Sequence, residues 1–127
     1  MEITGLFAGI LGILFFIHSL RTINGRRLTK TNLGTGESDV MLRRVRIHGN
    51  FAEYIPFLLV ILGLLEYSAV SPFFLYAFGV VVVFGRLLHA YGLWSPTTPG
   101  WARIMGMQLT LWPLIIGSST LIYLFVV

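Results

Sequence analysis

The chain contains no cysteine, which removes disulfide frameworks, thiol nucleophiles and thiolate metal sites from consideration. Any thiol chemistry must bring its thiol with the ligand. Charge is the second scarcity. Only 11% of the 127 residues are Asp, Glu, Lys or Arg, less than half the usual share in soluble domains. A phosphate cradle is also missing: Gly34 and Gly36, the glycines of the first loop, have neither the Walker spacing nor the preceding strand that a dinucleotide turn requires.

What is abundant is apolar surface, at 56% hydrophobic residues. Apolar runs occupy residues 3–20, 51–65, 72–94 and 104–127. Each reaches about 20 residues with its flanks, enough to cross a hydrocarbon core of ~30 Å. A chain this short cannot wrap four such helices in a polar shell. The pattern therefore predicts an all-α integral membrane four-helix bundle, one domain over residues 1–127 with helices at about 3–23, 39–66, 72–94 and 100–126. The opening "MEITG" has an acid where a signal peptide has a basic region, and no small-x-small cleavage site follows, so the first run is read as helix 1.

The cations are placed asymmetrically. Arg21, Arg26, Arg27, Lys30, Arg43, Arg44 and Arg46 surround the first loop, Arg86 and Arg103 flank the third, and the second loop has none. By the positive-inside rule both termini lie outside and the first and third loops are cytoplasmic. The net charge of +4 is then topological, with attraction for anionic lipid or an anionic ligand, and needs no nucleic acid. The longest connector is read as residues 24–39, with Ser38 or Asp39 as the N-cap of helix 2; Thr98 is expected to cap helix 4, with Pro99 at its first position. Pro56 and Pro113 fall inside helices, where kinks are expected. Gly5, Gly9 and Gly12 share one side of helix 1, suited to packing within the bundle or between copies.

The string "RVRIHGNFAEYIPF" breaks the apolar pattern. At 100° per residue Arg46, Asn50 and Glu53 form a stripe, Arg43 and Tyr54 lie on its margins, and His48 points the opposite way. Counting about 1.5 Å per residue from Glu66 and Pro72 places Glu53 about 20 Å down helix 2 and Arg86 about 21 Å down helix 3. That depth match predicts a Glu53–Arg86 pair across a polar cavity. Asn50 and His89 lie nearer the cytoplasm. Arg103 stands in the first turn of helix 4, where free N–H groups already make the potential positive. A cation there is disfavoured unless an anion is bound, and its alternative reading is an interfacial anchor.

The string "RIHGNFAEYIP", with its Arg-x-x-x-Asn-x-x-Glu-Tyr-x-Pro pattern, "GRLLHAYGL" and Arg103 together resemble the bacterial branch of the MAPEG family. These are the membrane-associated proteins of eicosanoid and glutathione metabolism. The resemblance covers the whole chain in length, helix count and motif order. It implies a homotrimer in the bacterial inner membrane, with glutathione as cosubstrate held between protomers on the cytoplasmic side. It implies Arg46, Asn50, Glu53 and Tyr54 as helix 2 ligands, Arg86 and His89 from helix 3, and Arg26 (Arg21 as alternative) from helix 1. Arg103 matches the arginine that stabilises the thiolate, after a one-residue shift in the third loop. Leu93 stands where eukaryotic relatives tend to carry tyrosine.

The leading function is a glutathione-dependent transferase or peroxidase acting on a lipophilic electrophile that enters from the lipid bilayer. A free thiol near pKa 8.5 is mostly protonated at neutral pH, and positive potential raises its thiolate fraction. One alternative is a non-catalytic relative whose stripe only fixes helix register. The other is a small four-helix transporter, which would resemble proton-coupled exporters only if a glutamate lay within helix 1.

Overall fold

A computed structural model describes all residues, 1–127. The chain is all-α and membrane-spanning: α1 (Glu2–Thr29), α2 (Asp39–Tyr67), α3 (Pro72–Gly92) and α4 (Gly100–Val126) are each long and apolar enough to cross a bilayer. Short connections make neighbours antiparallel. The pairs α1–α2 and α3–α4 pack closely, while α1 and α4 do not touch, so α2 and α3 form the middle of the bundle.

The core is built from Phe7 and Leu11 of α1, Phe51, Ile55, Leu58 and Leu62 of α2, and Leu75, Phe78 and Val82 of α3. In lipid this burial is held by close van der Waals packing rather than by removing apolar surface from water. A glycine seam brings α3 onto α4. A Cβ added at Gly106 would lie 2.6 Å from His89 Cα and 2.7 Å from Gly85 O, and one at Gly92 would lie 2.8 Å from Arg103 Cα. Only residues without side chains allow backbones so close. Gly5, Gly9 and Gly12, by contrast, face open space.

Four details differ from the sequence reading. Helix 1 continues past residue 23 to Thr29, where Lys30 takes a left-handed conformation (φ 52°, ψ 36°) and closes it, so the first loop is shorter than residues 24–39. The basic residues there continue the helix because Arg and Leu are good helix formers and Gly25 lets Met41 and Arg44 pack against its last turns. Helix 3 ends at Gly92 rather than at 94. Pro99 is the N-cap of α4 rather than its first residue. Thr98 is not the cap because its hydroxyl is turned back into the third loop, donating to Ser95 O at 2.6 Å and accepting from Ser95 N at 3.4 Å. Of the two caps left open for α2, Ser38 serves, accepting from Met41 N at 3.2 Å. α2 and α4 both continue through their internal prolines, Pro56 and Pro113.

The two ends of the bundle are fastened differently. At the end bearing the termini, the Glu66 carboxylate accepts from Ile3 N at 3.0 Å, Thr4 N at 2.8 Å and Thr4 Oγ1 at 2.5 Å, capping α1 from another helix. At the basic end, Arg44 donates to Arg21 O at 2.9 Å, Arg43 donates to Ser95 O at 3.4 Å, and Arg21 stacks 3.3 Å from the centre of the Trp94 ring.

Candidate functional site

At the basic end, α2, α3 and α4 enclose a cavity of about 260 Å³ lined by Arg46, Asn50, His89, Leu93, Arg103 and Met107. Each wall has a local cause. Arg46 and Asn50 are one helical turn apart on α2, His89 occupies the last turn of α3, and the Gly92 contact sets the start of α4, with Arg103, beside the end of α3. Two other cavities of comparable size are walled almost wholly by apolar side chains: one between α3 and α4 around Phe78 and Trp112, and one between α1 and α2 around Phe15 and Phe51. A larger one of about 350 Å³ on α4 has Gln108 and Ser118 among apolar side chains and no charged group, so the basic-end cavity is the one lined by charged side chains.

Beneath it lies Arg86, 2% exposed. Its Nη1 donates to Asn50 Oδ1 at 2.6 Å, and its Nη2 donates to Gly106 O at 3.3 Å and to Thr110 Oγ1. The Thr110 hydroxyl passes its own proton to Gly106 O at 2.9 Å. Tyr54 places its ring 5.8 Å from the guanidinium carbon.

The Glu53–Arg86 pair expected from depth does not form. Depth was matched but azimuth was not. Glu53 points to the exposed side of α2, and Asn50, one turn earlier, takes the guanidinium instead. The nearest ion pair to the site is Arg43 with Asp39 at 2.8 Å, so Arg86 is buried among neutral partners. Arg26 is not at the cavity either. Because α1 runs on to Thr29, its guanidinium reaches the first loop and donates to Gly34 O at 2.9 Å. Arg21, the alternative, is occupied by Trp94. His48 does point away from the stripe, lying 3.1 Å from Ser19 Oγ and stacked on Phe15.

The structure thus gathers Arg46, Asn50, His89 and Arg103 around one space, puts Arg86 and Tyr54 behind it, and leaves Glu53 on the outer face and Arg26 in the last turn of α1, bonded to the first loop. Met107, Thr110 and the seam of Gly85, Gly92 and Gly106 were not singled out by sequence reasoning. The seven-residue interval from Gly85 to Gly92 was the available signal. Chemically, the cavity presents two guanidinium groups at the start of a helix whose N-terminus has no side-chain cap. Such a space has the charge and donors that suit an anion. Its lining has no carboxylate, hydroxyl or thiol, and His89 is the one side chain there that could act as a base or nucleophile.

The sequence model of the MAPEG family matches residues 4–123. The inner membrane protein YecN of Escherichia coli K12 is 29% identical over 90 residues, covering 71% of this chain and 69% of YecN. The inner membrane protein YecN of Escherichia coli O6:H1 aligns with the same identity and coverage. No solved structure matches.

Proposed function

The chain belongs to the MAPEG family, and from that premise we propose that its basic cavity binds glutathione and activates the thiol for transfer to, or reduction of, a lipophilic substrate. The observation that carries this reading is the convergence of Arg46, Asn50 and Arg103 on one cavity that has no anion of its own. Glutathione carries two carboxylates and a thiol that becomes nucleophilic on losing its proton. Arg46 is suited to a carboxylate and Arg103, at the start of α4, to the thiolate. Free cysteine has a pKa near 8.5, and each unit by which bound glutathione falls below its own free value corresponds to about 1.36 kcal/mol of preferential interaction with the thiolate. One charge-assisted contact to a guanidinium is of that size.

Glu53 supports a site completed by neighbouring copies. It is exposed, unpaired and far along a membrane-crossing helix, where an uncovered carboxylate is unfavourable. A homotrimer in the inner membrane, with the basic loops cytoplasmic, would cover it and place it where the ligand's amine could reach it. A lipophilic electrophile or peroxide would then come from the bilayer.

The test is thermal protection of the detergent-purified protein by glutathione and by its thiol-free analogue, followed by turnover of an electrophilic aryl halide and a lipid hydroperoxide. Protection by both, with turnover, is expected. Protection without turnover would assign the chain to a non-catalytic role, and protection by neither would remove glutathione from the account.

A further inference from the structure

The fully buried guanidinium under the cavity has a task that ligand binding alone does not require. Arg86 is absent from the cavity wall, and four groups of the protein accept from its two terminal nitrogens: Asn50 Oδ1 at 2.6 Å from Nη1, and Gly106 O at 3.3 Å, Met107 Sδ at 3.6 Å and the Thr110 hydroxyl from Nη2, while its buried Nε has no partner. A guanidinium only donates, so the atom of the Asn50 amide that faces it must be the oxygen. The Asn50 Nδ2 group is thereby left with both N–H donors and makes no hydrogen bond within the protein. Arg46 and Arg103, on the same wall, likewise spend no donor on the protein. Apart from the His89 ring, every polar side chain lining the cavity offers donors alone.

We propose that Arg86 is a positioning residue that locks the Asn50 amide with its N–H groups toward the cavity, so that the site accepts a carboxylate at this point and rejects an ammonium. The proposal deepens the glutathione reading and rests on it only for the choice of ligand. If Arg86 were absent the amide could turn, offering its oxygen to the cavity and repelling the carboxylate it now attracts. The buried charge of Arg86, with no carboxylate beside it, adds to the same preference.

Two substitutions separate positioning from charge. Arg86→Lys keeps the cation but cannot hold Asn50 and Thr110 at once, and glutathione affinity should fall roughly tenfold, the loss of one charge-assisted contact. In an Asn50→Ala background the same change should cause no further loss, because there is no amide left to orient. Asn50→Asp puts a carboxylate against Arg86 and an acceptor at the cavity. Affinity should fall by about thirtyfold or more while Tm is unchanged or raised. A merely structural residue would move both in the same direction.

A ligand-free measurement keeps this inference distinct from the glutathione reading. With asparagine-selective isotope labelling, Asn24, Asn32 and Asn50 supply the side-chain amide signals. Arg86→Lys should shift the Asn50 amide and leave Asn24 and Asn32 in place. If glutathione does not bind the unmutated protein, the function proposed above fails and this signal still decides the role of Arg86. An unmoved Asn50 amide, or equal affinity losses for Arg86→Lys with and without Asn50, would overturn the proposal. Should Arg86→Lys fail to fold, Asn50→Asp decides alone, and retained glutathione affinity in it would overturn the proposal as well.

Discussion

Gly106→Ala is the perturbation whose effect the geometry fixes most tightly. The added methyl would sit 2.6 Å from His89 Cα and 2.7 Å from Gly85 O, against backbone that has no rotamer to move out of the way. An ordinary carbon–carbon contact is about 3.5 to 4.0 Å, so α3 and α4 must part by roughly 1 Å. Overpacking of this kind typically costs about 1 to 3 kcal/mol. The gain of about 1 kcal/mol in helix propensity on replacing glycine by alanine offsets part of it. The expected net loss is therefore about 0 to 2 kcal/mol. The functional effect should exceed it, because His89 and Arg103 stand on opposite sides of the seam and Gly106 O also accepts from Arg86. Denaturant unfolding in detergent, run beside glutathione titration, measures both. Gly9→Ala and Gly12→Ala are the controls: nothing lies within 4 Å of either added methyl, and both should be neutral or slightly stabilising. A Gly106→Ala protein as stable as those controls, with unaltered ligand affinity, would refute the seam as the device that builds the site.

Other outcomes follow from single contacts. The stability effects of Glu53→Gln and Arg86→Gln should be additive, with a coupling below about 0.5 kcal/mol in a double-mutant cycle, because the two side chains do not meet. Glu66→Gln, which weakens the cap on the first turn of α1, should lower the unfolding midpoint in denaturant and leave ligand binding unchanged, since the cap is at the opposite end of the bundle from the cavity. Arg103→Ala should leave glutathione affinity within a few fold while raising the bound thiol's pKa by about one to two units, seen as thiolate absorbance near 240 nm that needs higher pH to appear. A reporter fused to the C-terminus should be active outside the cytoplasm, as the clustering of basic residues at the first and third loops requires.

The fold was legible because apolar run length and helix period carry it. Four runs of spanning length leave few other arrangements for 127 residues. The polar stripe of Arg46 and Asn50 was legible for the same reason, since a helix puts residues four apart on one face. The partner of Arg86 was not. Depth along two helices is readable from residue counts, but the rotation of one helix against another depends on packing, here on glycines whose role shows only when the neighbour's backbone is in place. The length of α1 was missed because its end depends on Lys30 adopting a left-handed conformation, which a sequence without glycine at that position does not announce.

Whether Arg46 and Arg103 make the cavity a glutathione site is decided by calorimetric titration of the detergent-purified protein. Glutathione and its thiol-free analogue should bind saturably, with affinity reduced at least a hundredfold, about 2.7 kcal/mol, when Arg46→Ala and Arg103→Ala are combined. Saturable binding that survives the double substitution, or no binding by the unmutated protein, would contradict that assignment.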